Sequence, residues 1–246
     1  MPHTHRFHCP GLADAVAGDE FPLPQEEARH AVAVLRLRPG DRLEVFDGLG
    51  LSGSGTFVRG DRSGAVVSLE HLARREPPVP GVYLAPAWPH RDRVVDEIVC
   101  RGTELGVAGF HFWRADRSQR APGGVERWHR HTVESCKQCG RDTLPTLRAW
   151  DSLDTLLASE QGCLVAADLD EGAGGMVTLS ATATRIILVV GPEGDFTDRE
   201  RGLLGAAGAL RVSLGALVLR TEAASAVLAT LALNAAGQLG ARLAFP

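Results

Sequence analysis

Two segments in the last third of the chain hold the residues whose types and spacing could do chemistry. The first runs from Ile186 to Glu200 as Ile-Ile-Leu-Val-Val-Gly-Pro-Glu-Gly-Asp-Phe-Thr-Asp-Arg-Glu. A β-branched apolar run containing Leu188 gives way to Gly191, Pro192, Glu193 and Gly194. Thr197 followed by Glu200 then forms a capping box, which starts a helix. The product is a strand-to-helix corner with backbone N–H groups exposed at the carboxyl end of a sheet, where open α/β folds bind ligands. It is not a P-loop, because the Gly-x4-Gly-Lys-Ser/Thr spacing is absent. An ordinary tight βα turn accounts for this segment equally well.

The second segment, Val212 to Ala224, reads Val-Ser-Leu-Gly-Ala-Leu-Val-Leu-Arg-Thr-Glu-Ala-Ala. Gly215 interrupts an otherwise apolar strand and marks a bend or a close backbone approach. A wall of Leu214, Gly215, Leu217, Val218 and Leu219 suits an adenosine ring read mostly by main-chain hydrogen bonds. Arg220 and Glu222 stand at the lip of the next helix, where a helix-end salt bridge is the plainer reading.

The elements that must position these residues alternate strand and helix after residue 81. Strands are predicted over 82–87, 109–113, 163–167, 185–190 and 210–219, with helices over 90–105, 125–139, 152–158, 198–207 and 222–239. Gly106 ends the first of these helices as a left-handed cap. The pattern is an α/β layer with a mostly parallel sheet. Before it, residues 1–75 read as short strands (42–47, 55–58 and 65–69) and one helix over 25–35, a small β-barrel or sandwich. Residues 74–81, Arg-Arg-Glu-Pro-Pro-Val-Pro-Gly, cannot continue a strand ladder and form the linker. The domains are therefore 1–75 and 82–246, joined by 76–81.

Charge argues at first against nucleic acid: 26 Lys and Arg against 30 Asp and Glu leave a net of −4. Its distribution argues otherwise. Residues 149–246 carry 6 cations against 11 acids, whereas between His111 and Arg141 there are seven cations and three acids. Trp113, Trp128 and three histidines are interleaved with these cations, and guanidinium groups both pair with phosphate and stack on bases. Taken alone, such a stretch reads as a solvated face; with the resemblance described below, Arg117, Arg120 and Arg141 are candidate RNA contacts, with Arg6, Arg36 and Arg38 in the first domain.

Other classes are excluded by composition. With 44% hydrophobic and 23% charged residues the chain reads as globular. Its longest apolar runs fall far short of the roughly 20 residues of a membrane helix, and the N-terminus has no apolar signal segment, so a cytoplasmic protein is expected. Five cysteines make no disulfide framework. Cys136-x-x-Cys139 lacks a second pair at zinc spacing, and His3, His5 and His8 lie in a solvated terminus, so no metal is expected. Gly48-x-Gly50-x-x-Gly53 precedes a strand instead of a helix, so it is a hairpin loop and not a dinucleotide motif.

Together the motifs resemble a known family. Leu188 to Phe196, Leu214 to Glu222, Thr103-Glu104-Leu105-Gly106-Val107, Lys137-Gln138-Cys139-Gly140-Arg141, the Val34 to Asp41 turn and Arg6 are similar, in order, to the 16S rRNA (uracil-N3)-methyltransferases of the SPOUT superfamily. The resemblance spans nearly the whole chain. It implies an N-terminal PUA-like β-barrel for RNA and a C-terminal SPOUT-type α/β domain with a deep trefoil knot. It further implies a homodimer that takes S-adenosyl-L-methionine and methylates N3 of a uridine in 16S rRNA of the small ribosomal subunit. Leu188, Gly191, Pro192, Glu193, Gly194, Leu214, Gly215, Leu217, Val218 and Leu219 would hold the cofactor. Arg220 would act as electrostatic stabiliser of the uracil anion, with Glu222 or Glu193 as proton acceptor. Asp195 stands where the family usually has a second glycine.

Overall fold

The computed structural model describes residues 4–61, 63–118, 120–169, 174 and 178–240. The chain divides into two compact units, 1–77 with 133–144 and 78–132 with 145–246. Residues 133–144, which the sequence reading places in the second domain, belong to the first unit.

The first unit holds a five-stranded sheet made of β1 (His5–His8), β2 (Glu20–Pro22), β3 (Arg42–Phe46), β4 (Leu51–Asp61) and β5 (Gly64–Arg74), in the order β1-β3-β4-β5-β2. Helix α1 (Gln25–Arg29) continues into a π turn over His30–Val34. Together they cover most of the helix predicted over 25–35. Strands β4 and β5 are eleven residues each, far longer than predicted. Gly53, expected in the hairpin loop, lies inside β4 with Gly55, where neighbours approach too closely for a side chain. A Cβ on Gly55 would stand 2.0 Å from the Ser68 carbonyl oxygen. Residues 47–50 turn between the antiparallel β3 and β4, as the hairpin reading requires. Phe7, Leu43, Val45, Phe57, Val67 and Leu69 form the core.

Residues 133–144 are held to this sheet by charge. Arg6 on β1 is 9% exposed, donates to the Cys136 carbonyl at 2.9 Å, and forms ion pairs with Glu44 at 3.0 Å and with Asp142. Lys137 Nζ lies 3.1 Å from both carboxylate oxygens of Glu27.

The second unit is a six-stranded parallel sheet: β6 (Gly81–Pro86), β7 (Gly109–Trp113), β8 (Thr146–Trp150), β9 (Cys163–Ala167), β10 (Arg185–Val190) and β11 (Leu210–Val212), in the order β11-β9-β10-β6-β7-β8. Helix α2 (Asp92–Leu105) buries Val95, Ile98, Val99 and Gly102 and ends at Gly106 with φ 103°, the predicted left-handed cap. Helix α3 (His129–Cys139) belongs from residue 133 on to the first unit, and α4 (Leu153–Ser159), α5 (Asp198–Ala206) and α6 (Thr221–Ala235) follow in chain order in the second.

Alternation along β10 divides two cores. Ile186, Leu188 and Val190 join α2 and α6 residues such as Ile98 and Leu228, while Ile187 and Val189 join Leu156 of α4 and Leu204 of α5. Both faces are therefore covered, as a parallel sheet requires. Two expectations fail locally. The strand predicted over 210–219 stops at Val212, and 213–220 is irregular, with Gly215 at φ 116°. Strand β8 is absent from the prediction because Thr146, Arg148 and Ala149 are exposed and no apolar run marks it.

Under the sheet, the buried Glu160 accepts from Arg148 at 2.9 Å and Arg185 at 2.6 Å. His111 Nδ1 stands 3.4 Å from Glu160 without hydrogen-bond geometry. Burial pushes the His111 ring down to about 4; Glu160 opposes this, and Arg148 and Arg185 add to it, so the ring is neutral.

Candidate active site

Strands β11, β9 and β10 are neighbours and parallel, so the loops after their carboxyl ends converge. They enclose an open cavity of about 530 Å³ counted to its mouth. After β10 come Gly191, Pro192, Glu193 and Asp195. After β9 come Asp168 and Leu169, and after β11 come Leu214, Gly215, Leu217, Val218 and Leu219. Thr221 and Ala224 of α6 complete the wall.

Eight of the ten residues expected at the cofactor thus line one cavity. Leu188 does not; it is fully buried in the core beneath. Gly194 lines an adjoining cavity instead. Arg220 and Glu222 flank Thr221 in sequence without lining the cavity themselves. Arg220 is exposed and makes no ion pair among the described residues.

Sequence reasoning missed Asp168 and Thr221 as lining residues. The signal for Asp168 was its place directly after β9, at the carboxyl end of a parallel strand.

The corner after β10 is held by a cation. Arg201 on α5 donates to the Phe196 carbonyl at 2.8 Å, to the fully buried Asp168 carboxylate at 3.2 Å, and to Asp195. Arg211 reaches Asp168 from the other side at 2.8 Å. Hydrogen bonding to Asp168 raises the Arg201 guanidinium above its ordinary value, with Asp195 adding to the effect.

This clamp explains the departure at Asp195, whose φ of 60° is the left-handed conformation that favours glycine. Asp tolerates that conformation better than most residues, and Arg201 fixes its carboxylate there. The predicted capping box is present: Thr197 Oγ1 accepts from Glu200 N at 3.1 Å, and Glu200 accepts from Thr197 N at 2.7 Å. Glu200 also accepts from Asp116 N at 2.8 Å, tying the arginine-rich loop to the start of α5. Phe196 stacks on Trp113 with centroids 6.2 Å apart.

Residues 75–233 match the family model described as an RNA methyltransferase domain, and residues 23–70 match the one described as an RNA methyltransferase PUA domain. The chain belongs to the RNA methyltransferase family. Among relatives of this RNA methyltransferase, the ribosomal RNA small subunit methyltransferase E of Mycobacterium bovis is 31% identical, over 88% of this chain and 86% of that one. The Bacillus subtilis protein of the same name is 29% identical, over 83% and 86%. The crystal structure of the Neisseria gonorrhoeae ribosomal RNA small subunit methyltransferase E bound to S-adenosyl methionine superposes with a TM-score of 0.82. That match is 26% identical and covers 94% and 98% of the two chains.

The arginines expected at RNA divide by environment. Arg36, Arg38, Arg117 and Arg120 of this methyltransferase are exposed. Arg6 is a correction. Its fork is buried against Glu44, Asp142 and the Cys136 carbonyl, so it braces residues 133–144 and has no face left for phosphate. Arg141 is half-buried, and burial lowers its guanidinium below the ordinary value.

Cys136 is buried, and burial pushes its thiol up to about 12, while Cys139 is exposed. Among the described residues, no three His, Cys, Asp or Glu side chains gather as a metal site, and no helix is long and apolar enough to cross a membrane. His3 lies outside the described residues.

Proposed function

We propose that this RNA methyltransferase transfers a methyl group from S-adenosyl-L-methionine to N3 of a uridine in 16S rRNA of the small ribosomal subunit, in the cytoplasm. The observation that carries the reading is the single cavity built from the loops after β9, β10 and β11. Its residues fit the cofactor. Leu214, Leu217, Val218 and Leu219 offer an apolar wall for an adenine ring, and Glu193 and Asp195 offer carboxylates to a cationic ligand.

When bound, the cofactor supplies an electrophilic methyl on a sulfonium sulfur and needs no metal to activate it. The chain's residues hold the reactants in line and stabilise charge on the base. Arg220, at the start of α6, would stabilise the developing uracil anion. The N3 proton goes to a carboxylate, Glu193 or Glu222, or to water; of the two, Glu193 lines the cavity.

The trefoil knot and the homodimer belong to the same reading. Leu217 and Val218 are 78% and 76% exposed, and Leu231 of α6 is 53% exposed, an apolar surface suited to a second copy. A gel-filtration mass of one chain would contradict the dimer. Mass spectrometry of 16S rRNA from a deletion strain tests the activity. The expected result is loss of N3-methyluridine and its return when the protein is supplied; a normal content in the deletion strain refutes the reading.

A further inference from the structure

A second cavity, about 570 Å³ counted to its open mouth, adjoins the first. Trp88, Arg117, Ser118 and Arg120 line it, and it shares Pro192 and Glu193 with the cofactor cavity. That shared wall matters, because methyl transfer requires reacting atoms about 3–3.5 Å apart. An acceptor must therefore sit next to the cofactor cavity with no residue in the way, and this cavity adjoins it at the Pro192–Glu193 corner.

Its chemistry is that of a nucleotide site. Arg117 spends one N–H on the Gly194 carbonyl at 3.3 Å, and Arg120 uses one nitrogen on the His90 carbonyl and Asp92 at 3.1 and 3.2 Å. A guanidinium has five N–H donors, so both retain donors for a phosphate. Trp88 is 2% exposed and fixed by edge-to-face packing on Phe112 and Trp128, each 5.2 Å away. Its indole N–H has no acceptor among the described residues. That N–H is left to donate to a ligand, and a pyrimidine presents two carbonyl oxygens.

We propose that this cavity receives the target nucleotide, an unpaired pyrimidine turned out of the RNA. Arg117 and Arg120 take its phosphates, and the base edge lies toward Trp88 and Ser118, with Glu193 at the border of the two cavities, beside the path of the methyl. A base stacked in a helix cannot reach the methyl, so extrusion into a pocket is the general solution. This proposal rests on the methyltransferase reading above.

The test uses the full chain, 16S rRNA from a deletion strain, and calorimetry with S-adenosylhomocysteine. Two variants are compared with the wild type: the exposed pair Arg117→Ala with Arg120→Ala, and Trp88→Phe, which keeps a ring and removes the N–H. Both should bind S-adenosylhomocysteine within about twofold of wild type and lose roughly tenfold or more in kcat/KM for RNA. The arginine pair should also lower the slope of log affinity against log salt by about 1.4, from about 0.7 per phosphate contact. Unchanged kcat/KM in both variants overturns the proposal. So does an equal loss of cofactor affinity, which would assign the cavity to the cofactor. A wild-type protein that binds S-adenosylhomocysteine but methylates no RNA overturns the methyltransferase reading itself, and this site with it.

Discussion

Replacing Arg201 by Met tests whether the clamp on the corner after β10 positions the cofactor loop. Removing one partner of a buried ion pair costs about 3–5 kcal/mol. Here Asp168 keeps Arg211, and the Arg201 side chain is 24% exposed, so roughly half of that, ~2 kcal/mol, is the better figure. The lost bond to the Phe196 carbonyl adds about 1 kcal/mol. For a chain of this size, ~3 kcal/mol lowers Tm by about 6–12 °C in the transition that involves the site.

Asp195 makes the test specific. Its left-handed backbone costs a non-glycine residue about 1 kcal/mol, which the Arg201 pair offsets. Asp195→Gly alone should then be nearly neutral, since relief of strain balances loss of the pair. In the Arg201→Met background the pair is already gone, so the same change should recover about 1 kcal/mol. The assays are thermal unfolding of the four proteins and calorimetry with S-adenosylhomocysteine, whose Kd should rise about tenfold in Arg201→Met, because binding must then order the corner. Equal effects of Asp195→Gly in both backgrounds, or unchanged cofactor affinity in Arg201→Met, refute the clamp.

Arg220→Ala should fold normally and keep much of the S-adenosylhomocysteine binding, yet abolish methyl transfer; near-normal turnover removes Arg220 from the mechanism. His111 is neutral in the folded chain at about 4 and gains its proton on unfolding below its ordinary 6.5. Stability should therefore rise with pH across that window, by roughly 1–3 kcal/mol. His111→Gln should flatten this dependence in denaturant titrations at pH 4.5, 5.5 and 7, and a wild-type slope in the variant contradicts the assignment.

Sequence reasoning located β7, β9 and β10 to the residue because each is an apolar run between glycines or charges. The Thr197 capping box was equally legible, being a local pair of side-chain bonds. It failed where contacts across the fold decide. Gly53 looks like a loop residue but stands within β4, because the neighbouring strand leaves no room for a Cβ. Leu214 to Leu219 has a strand's composition, yet it lines a cavity as a loop, since Gly215 takes a positive φ and three of its apolar residues serve as wall. Residues 133–139 continue an ordinary helical pattern. Only the buried Arg6 and Glu27 pairs show that they belong with the first sheet.

Arginine type alone also fails to sort structural from functional positions, and this bears on how the methyltransferase holds RNA. Arg6, Arg199 and Arg201 each engage two or more carboxylates. Within the basic stretch, Arg127 pairs with Asp92 at 2.9 Å and lies 4.3 Å over the Trp128 ring, and Lys137 is held by Glu27. The local excess of positive charge is thus partly neutralised inside the fold. Arg36, Arg38, Arg114, Arg117 and Arg130 remain exposed and make no ion pair among the described residues. Salt sensitivity counts the cations that meet phosphate, not those in the sequence. The slope should accordingly follow these few guanidiniums together with Arg120, so a chain of net charge −4 can bind RNA through a few local arginines.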